Sequence, residues 1–226
     1  MTSARFCRFE LRTTLTAAAR DFYDAVLGQG PRDIVELPAA AAARGAPPHW
    51  LGYLDVSGAG GVEEVTRRLV ARGAERLGPP GDGHRALLRD AGGVIVALTD
   101  QSANPGNAVA WHQLHTMDAA SAVSNHVELF GWALGDRLDL GELGTYQNFA
   151  YAPGEPSIGS IADIAGRPHL HPQWLFFFAV SSLATAVAAA RERGGVVVAE
   201  ITLPNGDRAA VCDDAEHAAF GLLERK

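Results

Sequence analysis

Lysine is almost absent from this chain: Lys226 is the single one in 226 residues, and the arginines form no cluster. Binding a phosphate backbone or an anionic membrane needs concentrated positive charge, and a formal charge of −7 supplies none, so neither nucleic acid nor membrane is expected as a partner. Cysteine is equally scarce. Cys7 and Cys212 are too few for a disulfide framework and lack the spacing of a zinc knuckle, so each is read as a small buried hydrophobe. Long apolar runs are missing too. Nothing approaches the roughly 20 residues of a membrane span, and MTSARFCRFELR lacks the apolar centre of a secretory signal, which makes a cytoplasmic location the expectation.

What is present is enough apolar side chain, 47% of residues, to pack a core in one large domain or two small ones. Internal repetition decides between them. ELRT at residues 10–13 recurs as QLHT at 113–116, Phe22-Tyr23 falls on Asn125-His126, and Gly28 falls on Gly131. A second correspondence links Trp50 to Trp174, Asp90 to Asp214 and Leu98 to Leu222. The two offsets differ, so an insertion or deletion separates the first and second units of each half, and the N-terminal half is the shorter.

Each unit opens with an alternating strand followed by an alanine-rich amphipathic helix. The pattern predicts strand 6–12 with helix 16–27, strand 50–56 with helix 61–72, strand 111–117 with helix 119–130, and strand 174–180 with helix 183–193. Short strands are expected at 84–89, 94–98, 145–151, 158–162, 208–212 and 218–222. QSANPGN, residues 101–107, reads as the linker between an N-terminal domain, 1–100, and a C-terminal domain, 108–226. A strand, a helix and several antiparallel strands, used repeatedly, is an α+β pattern in which helices cover one sheet face and leave the other to form a cavity.

Four segments carry a family resemblance: RTTLTAAARDFYDAVLG, WHQLHTMDAASAVSNHVELFGW, HPQWLFFFAVSSLATAVAAARERGG and LPNGDRAAVCDDAEHAAFGLL. They resemble the opening strand and helix, the second-module strand and helix, and the closing hairpin of the vicinal oxygen chelate superfamily. This is the glyoxalase, bleomycin-resistance and extradiol dioxygenase group. The resemblance implies tandem βαβββ modules forming two cup-shaped mixed sheets with helices outside. Only about 12 residues separate the expected second strand, DIVEL, from Trp50, so the first cup should lack a strand or two. Its open edge would need covering by the other half or by a second chain, as in a homodimer.

The resemblance also implies where a metal would sit. In the metal-using members the ligands come from first and last strands of the modules. Here those positions carry Arg8, Leu51, Trp111 and Leu175, with Ala97 and Gly221 on the last strands, and none can hold a divalent ion. A one-residue slip would put His112 on one site, with Cys7 or Phe9, Trp50 or Gly52, and Phe176 or Trp174 on the others, and a single histidine does not hold a divalent ion. The expectation is therefore no metal and no cofactor, although WHQLHTMD, with two histidines, looks at first like half a metal site.

Strand alternation sorts the remaining side chains, because residues two apart share a face. Trp50, Leu54, Val56, Phe9, Leu11, Leu114, Thr116, Trp174, Phe176 and Phe178 form the layer beneath the helices, joined by His112. The cavity face carries Arg8, Glu10, Arg12, Tyr53 and Asp55 in the first half, and Trp111, Gln113, His115, Leu175 and Phe177 in the second. The charged set suits a polar or anionic ligand, or else an internal salt-bridge network. His115 is the candidate acid or base, with Glu10 and Asp55 as further catalytic candidates. The remaining residues, Arg8, Arg12, Tyr53, Trp111, Gln113, Leu175 and Phe177, are ligand-binding candidates.

His169 and His171 make a weak zinc signal in a loop, and SGAGG at 57–61 reads as a plain turn into a helix rather than a dinucleotide loop. Two functions fit. One is metal-independent binding of a small organic metabolite or antibiotic in an aromatic cup, as in the resistance branch. The alternative is a metal-free cyclase, isomerase or lyase of secondary metabolism using an acid/base residue in the same cup. A scaffold that only dimerises would have no cavity at all.

Overall fold

The computed structural model describes residues 3–28, 33–78, 83–102 and 109–226. The first half contains β1 (Arg5–Thr13), α1 (Thr16–Leu27), β2 (Ile34–Glu36), α2 (Ala39–Ala42), β3 (His49–Asp55), α3 (Val62–Val70), β4 (Glu75–Leu77), β5 (Arg85–Arg89) and β6 (Ile95–Thr99). The second contains β7 (Val109–Thr116), α4 (Ala119–Phe130), β8 (Ala133–Asp139), β9 (Thr145–Ala150), β10 (Gly159–Asp163), β11 (Gln173–Ala179), α5 (Leu183–Glu192), β12 (Val196–Thr202), β13 (Arg208–Asp213) and β14 (Ala219–Glu224). Most of linker 101–107 lies outside the described residues.

Two mixed sheets result, ordered β2-β1-β3-β6-β5-β4 and β12-β13-β14-β11-β7-β10-β9-β8. The fold is the expected α+β tandem of modules. In each complete module the first strand runs parallel to the last, as β3 to β6, β7 to β10 and β11 to β14, and the middle strands continue antiparallel. The first module is the exception. Its β2 pairs parallel with β1, matching Leu11 to Ile34, so DIVEL takes the place of the closing strand rather than the second one. The missing hairpin therefore falls between α1 and β2, and not between DIVEL and Trp50 as the spacing suggested. Six strands against eight is the deficit of one hairpin.

Local chemistry explains the element ends. Gly28 and Gly131 close α1 and α4 at the same φ of 73°, in the left-handed region where a side chain is penalised. Asp118 and Ser182 cap α4 and α5 by accepting the backbone N–H of Ser121 and Thr185. Asp90 accepts Val94 N–H and Asp214 accepts Ala218 N–H, so the two halves fix the turn before their last strands in the same way.

Packing divides the chain into two compact units, one comprising Met1–Arg8, Gly52–Asn104 and His112–Trp174, the other Phe9–Leu51, Pro105–Trp111 and Leu175–Lys226. In the first, Trp132 stacks on Phe149 at 4.4 Å and His126 lies 4.6 Å from Trp132. In the second, Trp50 donates to the Tyr23 hydroxyl at 2.9 Å, which donates to Asp214 at 3.1 Å, inside a ring cluster with Phe22 and Phe220. That buried polar chain is satisfied at every link, so it fixes one packing arrangement. Glu216 adds an external cap to α1, accepting the Thr13 and Thr14 hydroxyls and Leu15 N–H. No described helix is long and apolar enough to cross a membrane.

Candidate functional site

The first-unit part of the larger sheet carries the polar face. Ladder partners on neighbouring strands point the same way, so the register Gln113–Ser160–Asn148 and His115–Ala162–Tyr146 puts all six on one face of β7, β10 and β9. His112 and Leu114 take the opposite face, where His112 stacks on Phe6 at 4.9 Å. The two histidines of WHQLHTMD are thus separated by the sheet itself.

His115 is 7% exposed. Gln113 presents its amide nitrogen to His115 Nε2 at 2.5 Å. With the amide nitrogen so placed, Nε2 is the acceptor when the neutral ring carries its proton on Nδ1. That Nδ1 is buried and has no hydrogen-bond partner, and the same holds for Asn148 Oδ1. Burial, with the Arg167 charge added, pulls the His115 pKa down to about 4, so the ring is neutral near pH 7. Arg167 lies over the turn at Gly144, where any side chain would collide with its guanidinium.

Leu175 and Phe177 stand apart from this polar set. They are 1% and 3% exposed and form an apolar cluster with Ala209 and Leu223, against which Trp111, Ile201 and Val211 are packed. Phe177 is the ladder partner of Gly221, and a Cβ at Gly221 would run into its ring.

The first-half candidates are already engaged. Glu10, buried, accepts Arg12 Nε at 2.8 Å, and His49 sits within electrostatic reach of both. Burial lowers the His49 pKa, and its ring bonds the Pro47 carbonyl at 2.7 Å. Arg8 lies over the Tyr53 ring at 5.4 Å, with Arg85 at 6.0 Å. Asp55 accepts the Ser57 N–H at 2.9 Å and the Ser102 hydroxyl. Burial opposes its ionisation, but these hydrogen bonds prevail and hold its carboxyl below the usual range.

Sequence reasoning missed a cavity of about 440 Å³ beside SGAGG, lined by Ser57, Gly60, Gly61, His84, Asp100 and Gln101. His84 Nδ1 meets Asp100 at 2.9 Å, because the β5–β6 hairpin brings the start of one strand to the end of the other. The pair is half open to water, where such ion pairs contribute little. Asn148 and Arg167 were also missed. His169 and His171 are exposed, and among the described residues no three His, Cys, Asp or Glu side chains gather as a metal-binding group.

The modules, their strand orders and the two sheets define a vicinal oxygen chelate fold, the fold that the resemblance implied. No family model matches the chain. It is similar to a protein named "Putative glyoxylase CFP32" from Mycobacterium bovis, 24% identical over 95% of this chain and 92% of that one. Among solved structures it resembles the 2,3-dioxygenase LapB from Pseudomonas sp. KL28, with TM-score 0.65, 14% identity, and coverage of 100% of this chain and 93% of the other. It also resembles the Mn(II)-bound glyoxalase from Novosphingobium aromaticivorans, with TM-score 0.59, 11% identity, and coverage of 99% and 82%.

Proposed function

We propose that the protein binds a small organic metabolite or antibiotic without a metal, in its second half, and acts by sequestering it. One observation carries the reading. The positions that resemble the family's metal ligands in this half are Trp111, Leu175 and Gly221, which offer no donor, and a longer side chain at 221 would displace Phe177. The polar residues of the face, Gln113 and His115, remain to orient a ligand.

Binding is favoured over turnover by the state of the acid/base candidates. A ring with a pKa of about 4 is a weak base near neutral pH, far from the matched value that proton transfer requires. Glu10 is paired with Arg12, and Asp55 anchors a turn. The alternative, a metal-free cyclase, isomerase or lyase, draws its support from the buried Nδ1 of His115, which has no hydrogen-bond partner and could donate to a reacting oxygen.

Metal analysis of the purified protein, after incubation with Mn(II), Fe(II) or Zn(II), tests the reading. The expected result is no stoichiometric ion and a melting temperature indifferent to EDTA. One bound equivalent, whose removal lowers the melting temperature, would overturn it.

A further inference from the structure

We propose that strand β8 is a self-association edge, pairing antiparallel with β8 of a second copy of the chain about a two-fold axis at Leu138.

β8 ends the eight-stranded sheet, so one side of its backbone has no ladder partner among the described residues. Such an edge is a template for another strand. The two sheets have four edges, and they are not alike. β2 and β4 are only three residues long. β12 has seven residues, but its one charge, Glu200, is already bonded to Arg191 at 3.1 Å and offers a second β12 nothing of opposite sign. β8 also has seven residues, contains no proline or lysine to block pairing, and is exposed at Leu134, Asp136, Arg137 and Asp139. Leu134 is 47% exposed, and Leu143, just beyond the strand, is 42% exposed.

The charge pattern makes a second copy the fitting occupant. The ladder with β9 matches Arg137 to Gln147, Leu138 to Tyr146 and Asp139 to Thr145, so Arg137 and Asp139 share one face while Leu138 joins Tyr146 on the other. A two-fold axis at Leu138 therefore sets each Arg137 directly opposite Asp139 of the second copy, and Leu138 against its own equivalent. The segment is self-complementary. Arg137 donates from Nε to Gln147 at 3.0 Å and forms no ion pair among the described residues, while Asp139 spends one oxygen on the Gly141 N–H at 2.9 Å. Opposite charges facing across two strands stabilise their pairing, and like charges there oppose it. The irregularity between Leu134 and Arg137 interrupts the edge on one side of the axis, so the paired segment is short. The dimer it forms is concentration-dependent.

Sedimentation velocity on the full chain, over a range of concentrations, tests this through a charge swap. The unmodified protein should show a reversible monomer–dimer equilibrium. Arg137→Asp puts like charges opposite one another and should weaken dimerisation by about tenfold with an unchanged melting temperature, because the side chain lies on the surface. Asp139→Arg should weaken it similarly. Mixing the two variants sets opposite charges face to face again, and should restore a heterodimer at close to the original affinity. Leu138→Cys, on the axis, should close an intermolecular disulfide on mild oxidation, whereas Cys7 and Cys212 are buried and should not; this arm stays decisive if Asp139→Arg fails to fold. A protein that stays monomeric at its highest soluble concentration, a dimer indifferent to Arg137→Asp, or a Leu138→Cys variant that forms no linked dimer overturns the proposal. So does growth beyond the dimer, the product of head-to-tail pairing between β8 and β12.

Discussion

Strands β7–β10 and β11–β14 are copies of one module, and they use their inward faces in opposite ways. The β11–β14 copy fills its face with Leu175, Phe177, Ala209 and Leu223, each satisfied by packing alone. The β7–β10 copy keeps Gln113, His115 and Asn148 there and leaves two buried polar atoms without a partner. Burying such atoms costs about 1–3 kcal/mol each. The difference shows which face carries an uncompensated cost in stability, and such a face is the one on which function is to be sought.

Truncating the apolar copy gives the largest expected effect. Phe177→Ala removes a ring that packs against Gly221 and the cluster, and should cost about 3–5 kcal/mol in chemical denaturation. An unchanged midpoint would mean that this face is no core at all and would erase the contrast.

Acid should act on the other unit. His112, His115 and His126 all belong to the unit containing β8–β10, and burial pulls each pKa from 6.5 down to about 4. Because the folded values lie below the unfolded one, the unfolded chain binds more protons between these limits. Stability present above pH 6.5 is therefore lost as pH falls toward 4, by up to about 3 kcal/mol per histidine. Equilibrium denaturation across this range checks it, with hydrogen exchange assigning early opening to β7–β10. A flat profile would show the histidines titrating normally.

The smallest effect carries the opposite sign. His115→Leu replaces an under-satisfied buried ring with an apolar side chain and should leave stability unchanged or raise it by up to about 1 kcal/mol. A marked loss in the same denaturation assay would mean that His115 is a structural histidine.

Much of this was legible in the sequence because the signals are local. Alternation and glycine stops located α1 and α4 to the residue, and the His112/His115 division followed from strand period alone. The strands that escaped are β4, β8 and β12. β4 is three residues long and β8 is exposed along nearly all its length, while β12 alternates in burial but opens on a continuous valine run that hides this period in the sequence. Asn148 was within an expected strand, but its face is set by pairing with Ser160, a partner that only long-range register supplies. Arg167 comes from a loop, where no period exists to orient a side chain.

The position of β2 has a wider consequence for how such sheets change length. Since opening and closing strands of a module are direct neighbours, the middle pair hangs from the outer side of the closing strand and can be removed without breaking the ladder that remains. A module of this kind is a permanent two-strand frame with a detachable hairpin at its rim. Whole hairpins, rather than single strands, are the unit in which a cup of this design can be widened or narrowed.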